Sequence, residues 1–159
     1  MCGLEICATE KDRLEQFTTA SPSNEELSLL SIFENMDSPV YVATMDTYKI
    51  LYTNKALDEL LGMDVTGLTC HEALQGESEP CLFCTNDKIK ELGDVYIWEF
   101  CRKSGRWYKC VDKAITWYDG SLVRLEIAVD ITDMKIKELE LNSTVDNLKE
   151  AISIITRGI

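Results

Sequence analysis

Three cysteines and a histidine lie close together in the middle of the sequence, within the stretch TCHEALQGESEPCLFCTN (69–86). Cys81 and Cys84 form a C-x-x-C pair, and Cys70 lies eleven positions before Cys81 with His71 beside it. Two sulfurs of a C-x-x-C pair reach one metal ion from a single turn, and a third ligand at this spacing is feasible. The spacing therefore allows a thiolate-rich metal site that suits zinc or an iron–sulfur cluster.

The fourth ligand of such a metal site would be His71 or a cysteine of the predicted sheet, Cys101 or Cys110. Two other interpretations stay open. Cysteine also packs like a small hydrophobic residue, so the thiols could be purely structural. Alternatively, Cys81 and Cys84 form a reversible redox pair, which requires a lowered thiolate pKa such as a helix beginning after Cys84 would supply.

The composition limits the partners and the compartment. The 159 residues carry a net charge of -12, which argues against nucleic acid and against an anionic membrane surface as partners. The sequence contains no apolar run of roughly 18 residues for a membrane span and no signal peptide. Seven cysteines, an odd number, favour reduced thiols over a disulfide framework. We therefore predict a cytoplasmic protein without membrane insertion.

The elements that must position the cysteines follow from periodicity and turn signals. A polar leader (1–23) precedes a helix that begins at the possible caps Ser23 and Asn24. Gly62 ends a short helix, and further helical segments, including one at 85–93, are predicted before Gly93. Five strands are predicted at 40–45, 49–54, 95–103, 106–118 and 121–131. The order β-β-α-α-α-β-β-β predicts an α+β domain (24–132) on one five-stranded antiparallel sheet.

The inner face of this sheet depends on the hairpin turns. Ser104-Gly105 and Asp119-Gly120 are interpreted as two-residue turns, which places Leu125 opposite Ala114. Small residues on that face leave room for a cavity, and Arg124 is assigned to the opposite face. A simpler role for Asp112 is an ion pair with a lysine or arginine. The predicted pocket-lining residues are Cys101, Tyr108, Cys110, Asp112, Ala114, Leu125 and Ile127.

The C-terminal segment (133–159) has a different pattern. Apolar residues recur at alternating steps of four and three, which is typical of a coiled coil. This seam has no evident partner within a compact domain, so a homodimer through the helix and the outer sheet face is predicted. The alternative is a helix that folds back on its own sheet. The seam consists of Leu141, Val145, Leu148, Ile152, Ile155 and Ile159.

Several segments resemble a PAS domain with its signalling helix. The likeness covers residues 25–135 and is carried by SPVYVATMDTYKILYTNKALDELLG at the start and RWYKCVDKAITWYDGSLVRLEIAVDITDMK at the end. The stretch GLTCHEALQG…PCLFCTN resembles a cysteine-bearing subgroup of PAS modules in prokaryotic sensor kinases and diguanylate cyclases. The resemblance implies the PAS fold and a signal hinge at Trp107, Asp130, Ile131 and Thr132. It also implies two-component or cyclic-di-GMP signalling through an output domain that follows residue 159.

The frame Gly-x-x-Cys…Leu-Gln-Gly around Cys70 is similar to the flavin-binding LOV branch of this family. Thr69 and His71 stand where that branch has asparagine and arginine, and Lys109 and Asp112 stand where flavin-binding asparagines are wanted. These departures argue against flavin. Haem bound through His71 has equally weak support.

These features predict a non-enzymatic sensory module. A ligand, metal or redox change in the pocket would pass through the Asp130–Thr132 hinge to the coiled coil, which requires a coupling free energy of about 1–3 kcal/mol. The first alternative is a ligand-free dimerisation module. The second is a thiol oxidoreductase built on CLFC, against which stands the lack of a βαβ context and of any paired nucleophile and base.

Overall fold

A computed structural model describes residues 24–158 of the chain. The predicted leader (1–23), the helix cap Ser23 and the last seam residue Ile159 lie outside these residues. The described elements are α1 (Asn24–Glu34), β1 (Val40–Thr44), β2 (Ile50–Thr53), α2 (Lys55–Leu61), a π-helical turn (His71–Gln75), a 3-10 turn (Thr85–Asp87), β3 (Val95–Cys101), β4 (Trp107–Thr116), β5 (Leu122–Asp130) and α3 (Thr132–Arg157).

The five strands form one sheet in the order β2-β1-β5-β4-β3, so the first hairpin and the last three strands meet at β1 and β5. β1 pairs antiparallel with β2 and with β5, where Ala43 lies opposite Arg124. The predicted α+β class with a five-stranded antiparallel sheet and a C-terminal helix is confirmed. The described chain divides into two compact units, one with residues 24–97 and 111–128 and the other with residues 98–110 and 129–158.

Asn54 determines where α2 begins, and Gly62 determines where it ends. Asn54 Oδ1 accepts from the Leu57 N–H at 3.1 Å, and Gly62 adopts a left-handed φ of 77°. This N-cap and left-handed C-cap pair satisfies one backbone donor at the start of the helix and one backbone carbonyl at its end. Asn54 is fully buried and its Oδ1 also accepts from the Val40 N–H at 2.9 Å, which anchors the start of β1.

The helix predicted at 85–93 is wrong, because only the 3-10 turn at Thr85–Asp87 forms. Asp94 Oδ2 accepts from the backbone N–H groups of Lys90 and Glu91, both at 2.9 Å. A carboxylate that takes these donors competes with the helical hydrogen bonds they would otherwise make. The segment after the cysteines is therefore mostly loop.

Both sheet hairpins in the second half of the chain have three-residue loops, and the two-residue turns predicted for them are wrong. Trp117 N–H donates to Ser121 O at 2.8 Å, and Arg102 N–H donates to Arg106 O at 2.9 Å. The last loop residue in each case is a glycine with φ above 80°. Three-residue loops of this kind close with a left-handed glycine, and a shift of one residue exchanges the two faces of a strand.

The exchanged register changes which side chains of β5 share a face. Leu125 and Ile127 pack with Val40, Val42 and Val123 in one core cluster, which also receives Met36. Tyr41 and Cys70 belong to the other core cluster, on the face to which Arg124 and Glu126 also contribute. The predicted placement of Leu125 and Ile127 beside Asp112 is therefore corrected, and Arg124 takes the place that the sequence interpretation had assigned to them.

α3 has no buried residue along its length. The five seam residues within the described range are all exposed: Leu141, Val145, Leu148, Ile152 and Ile155. Within residues 24–158, no helix combines the length and apolar character that crossing a membrane requires.

Candidate functional site around Arg124 and the cysteine segment

Arg124 lies in β5 with only 4% of its surface exposed, and its guanidinium holds the segment 84–86. Nη1 donates to Asn86 Oδ1 at 2.7 Å, to Thr85 Oγ1 at 3.3 Å and to Cys84 Sγ at 3.8 Å. Asn86 in turn donates from Nδ2 to the Met45 carbonyl at 2.8 Å. One buried side chain therefore fixes three consecutive loop residues.

The second terminal nitrogen of Arg124 binds two further core residues. Nη2 donates to the Tyr41 hydroxyl at 2.9 Å and to Cys70 Sγ at 3.4 Å. Cys70 is placed by its own backbone, because its N–H donates to the Tyr48 carbonyl at 2.8 Å. Two of the three clustered cysteines therefore accept from the same guanidinium. We call Arg124 and its partners Tyr41, Cys70, Cys84, Thr85, Asn86 and Asp112 the Arg124 cluster.

Two carboxylates balance the charge of Arg124. Asp112 is fully buried, and its Oδ1 lies 3.7 Å from Arg124 Nε. Glu126 Oε2 accepts from the Tyr41 hydroxyl at 2.6 Å. A buried charge is tolerated where opposite charges and hydrogen bonds compensate for its lost hydration. Burial lowers the pKa of Arg124, but its interactions with Tyr41, Glu126, Cys70 and Asp112 more than offset this, so the guanidinium stays charged.

Two thiols in this part of the protein, those of Cys70 and Cys81, have pKa values above the ordinary value for cysteine. Burial raises the pKa of Cys70, and the neighbouring Arg124 only partly opposes this. Burial also raises the pKa of Cys81, with further contributions from Cys70 and Cys84. The lowered thiolate pKa that the redox interpretation expected is therefore not found at Cys81.

A metal role for Cys70, Cys81 and Cys84 remains a prediction. No three His, Cys, Asp or Glu side chains among residues 24–158 are grouped so that they could hold one. The Arg124 guanidinium also donates to two of the three sulfurs, and a fixed cation at that position repels a metal cation.

His71, the other proposed ligand, is buried at the first position of the π-helical turn. Its ring meets that of Tyr48 edge-on, with centroids 5.6 Å apart. Nδ1 of His71 is buried and has no hydrogen-bond partner within the described part of the chain. The structure thus places His71 in an aromatic contact inside the domain.

The predicted pocket-lining residues are distributed unevenly. Burial alternates along β4, so that Tyr108, Cys110, Asp112 and Ala114 are buried while the residues between them are more exposed. Cys101, at the end of β3, is exposed. Leu125 and Ile127 lie in the opposite core cluster, as described above. A ligand role for any of these residues remains a prediction.

The predicted hinge residues meet where β5 ends and α3 begins. Asp130 Oδ1 accepts from the Thr132 backbone N–H at 2.9 Å and from its hydroxyl at 2.6 Å. Thr132 Oγ1 accepts from the Trp107 N–H at 3.0 Å, and the Ile131 N–H donates to the Trp107 carbonyl at 2.9 Å. Asp130 also forms an ion pair with Arg106 at 3.1 Å. The hydrogen bonds from Thr132, together with this ion pair, lower the pKa of the Asp130 carboxyl. The first residue of β4 and the first residue of α3 are thus joined by backbone and side-chain bonds.

Lys135, in the first turns of α3, adds a second connection to the strands. Its ammonium lies 2.7 Å from Glu99 Oε2 and 5.6 Å from the centroid of the Trp107 ring. Glu99 is partly exposed on the surface. The interaction with an aromatic face is a cation–π contact.

Sequence reasoning missed Arg124, Tyr41 and Asn86 as members of the central site. The available signal was Arg124 itself, one of two charged residues in the mostly apolar strand sequence SLVRLEIAV. If Tyr118–Gly120 is taken as a three-residue loop, the strand register shifts by one residue and the Arg124 side chain is predicted to face the core. The contacts of Asn86 had no such signal, because they depend on residues distant in sequence.

Two solved structures support the identification of the fold. The PAS domain of an HTR-like protein from Haloarcula marismortui matches with a TM-score of 0.50 and 20% identity, over 69% of this chain and 100% of that chain. An RNA-binding light-oxygen-voltage receptor matches with a TM-score of 0.53 and 18% identity, over 84% of this chain and 42% of that chain. The chain therefore spans less than half the length of that receptor.

No protein-family model matches the chain, and no curated protein is significantly similar to it in sequence. Identities near 20% establish the fold alone. The strand order, the long C-terminal helix and these structural matches together show that the chain has the PAS fold.

Proposed function

We propose that the chain is a non-catalytic sensory module of a signal-transduction protein. The observation that carries this proposal is the junction at Asp130, Ile131 and Thr132. Hydrogen bonds there join the first residue of β4 to the first residue of α3. If these strands moved, the hydrogen bonds at Thr132 would either break or move the start of α3 with the strands. Either event would change the start of the helix.

The helix is the output of the module in this proposal. Its exposed apolar seam suits a parallel dimer, in which the same residues of two chains pack against each other. A change at the hinge would alter the register or the splay of the two helices and so bias an output domain after residue 159. A coupling free energy of about 1–3 kcal/mol is sufficient for such a bias. We place this process in the cytoplasm.

The input site is the buried face that holds the Arg124 cluster. A small ligand or a redox change that displaced segment 84–86 would break up to three hydrogen bonds to Arg124. Arg124 lies in β5, the strand that ends at Asp130. The input and the hinge are therefore carried by one strand of the chain.

A second candidate function is a dimerisation module without any ligand. It is favoured by one observation, which is that Arg124 already has internal partners for both terminal nitrogens. A site filled by the protein's own side chains has less need of a ligand. Native mass spectrometry of the purified protein separates the two, because a retained small molecule adds to the mass of the folded chain.

The experiment that tests signal transmission is a chimera. The chain is fused in frame, with the heptad register kept, to the catalytic part of a histidine kinase, and autophosphorylation is measured. We expect Thr132→Val to change kinase activity at least severalfold, while Thr132→Ser, which keeps the hydroxyl, leaves it near the parent value. Equal activities of the parent and Thr132→Val chimeras, with both folded, would refute the proposal.

A further inference from the structure

The C-x-x-C pair forms a tight turn. The Cys84 N–H donates to the Cys81 carbonyl at 2.9 Å, which defines a hydrogen-bonded β-turn over Cys81, Leu82, Phe83 and Cys84. The end residues of a β-turn have Cα atoms less than about 7 Å apart. A disulfide spans Cα separations of about 4.4–6.8 Å. The backbone therefore already holds Cys81 and Cys84 at a distance suited to a disulfide.

Solvent reaches this turn, and the two sulfurs have different surroundings. Leu82 at its tip is fully exposed, Phe83 is exposed, and both cysteines are partly buried rather than enclosed. Cys84 Sγ accepts from the Arg124 guanidinium, which stabilises negative charge on that sulfur. Burial raises the pKa of Cys81. The contact with Arg124 favours Cys84 for the first step of a thiol–disulfide exchange and leaves the second step to Cys81.

We propose that Cys81 and Cys84 are a reversible thiol–disulfide site that reacts with low-molecular-weight disulfides. The Cys84 thiolate attacks one sulfur of the small disulfide, forms a mixed disulfide and releases one small thiolate. Cys81 then attacks Cys84 Sγ, forms the intramolecular disulfide and releases the second small thiolate. The two cysteines lose two protons and two electrons, and the small disulfide is reduced to two thiols.

Oxidation changes the Arg124 cluster directly. A disulfide at Cys84 replaces the thiol that accepts from Arg124 Nη1, and the closed ring fixes the turn that precedes Thr85 and Asn86. Both of these residues accept from Arg124 Nη1. The signalling role of this disulfide rests on the proposed sensory function, in which the disulfide is the regulated state of the input site. The formation of the disulfide itself can be measured without any output domain.

The test is made on the full chain, reduced and then equilibrated with glutathione buffers of increasing oxidised fraction. After acid quenching and alkylation, cleavage at Glu77 and Lys88 gives a fragment that contains Cys81 and Cys84 but not Cys70. We expect this fragment to escape alkylation and to lose about two hydrogen masses as the buffer becomes oxidising, reversibly with dithiothreitol. Cys101→Ser, at an exposed position outside the Arg124 cluster, should behave like the parent.

Single variants test the order of the two steps. In Cys81→Ser, the mixed disulfide should accumulate on Cys84, whereas in Cys84→Ser, Cys81 should stay mostly free over the same time. Full alkylation of both cysteines at every ratio overturns the proposal, and so does a disulfide that joins Cys70 to either of them. Equal reactivity of the two single variants overturns the assigned order. None of these measurements uses the kinase chimera. A failure of the disulfide proposal can therefore be distinguished from a failure of the sensory proposal.

Discussion

Arg124 Nη2 donates to Cys70 Sγ at 3.4 Å in the protein interior. A cysteine that the spacing pattern presents as a metal ligand is thus a hydrogen-bond acceptor of a buried arginine. The pairing is effective because the guanidinium has five donors in a fixed plane and can serve several acceptors at once. Here those acceptors include Tyr41, Asn86 and Cys84, so the cation joins the cysteine segment to the sheet.

Replacement of Arg124 by methionine should strongly destabilise the fold. It removes the cation 3.7 Å from the fully buried Asp112, and loss of one partner of a buried ion pair costs about 3–5 kcal/mol. Urea denaturation measures the free energy of unfolding. The control is Lys113→Met on the neighbouring strand, an exposed lysine whose replacement should stay within about 0.5 kcal/mol. Equal stability of the two variants would contradict the assigned role.

Thr132→Val should loosen the start of α3. The hydroxyl both donates to Asp130 and accepts from the Trp107 N–H, and its loss should cost about 1–3 kcal/mol because a half-buried donor loses its acceptor. Hydrogen–deuterium exchange of the first turn of α3 should become faster. Thr132→Ser keeps both bonds and serves as the control. If valine and serine variants exchange at the same rate, the hydroxyl is not the connection described.

Stability should decrease in alkaline solution because of the buried thiols. Burial raises the pKa of Cys70 and Cys81, so the folded chain holds these protons more tightly than the unfolded chain does. This contribution is complete below the unfolded thiol pKa of about 8.5 and is lost as the pH rises through the higher folded values.

Cys70→Ala should make this alkaline decline less steep, although it lowers the stability at neutral pH by removing a packed sulfur. Denaturation midpoints between pH 7 and pH 10 measure the slope. Cys101→Ala, at an exposed position, is the matched control and should leave the slope unchanged. A Cys70→Ala slope that equals the parent slope would show that Cys70 does not contribute to the decline.

Ile152→Glu should weaken self-association through α3. Ile152 is exposed at the centre of the heptad seam, and a carboxylate there would be buried against its own copy in a parallel dimer. Light scattering after size exclusion should show a dimer for the parent and a dissociation constant at least about tenfold higher for the variant, which corresponds to 1.4 kcal/mol. Ser143→Glu introduces the same charge on α3 outside the seam and should leave the dimer intact. A parent protein that stays monomeric would contradict the dimer.

Local patterns were enough to predict the order of the elements. The KALDELLG segment forms α2 because Asn54 caps its start and Gly62 ends it, and both signals act within a few residues. The five strands and the long helix were also predicted correctly, with ends displaced by a few residues. Alternation and heptad spacing record which side of each element avoids water, and this information is contained in the sequence itself.

Only the tertiary structure decided what surrounds the cysteines. The helix predicted at 85–93 does not form because Asp94 takes its backbone donors, and the segment is held instead by Arg124 and Asn86. The one-residue difference in the hairpin loop turned Arg124 toward the face with Tyr41 and Cys70 and Leu125 toward the opposite core cluster, which no spacing of the cysteines could reveal. Asn86 and Cys70 lie 38 and 54 positions before Arg124 in the chain, yet both accept from its guanidinium. Such long-range electrostatic contacts depend on strand register, and the register was set by the glycine-containing loops.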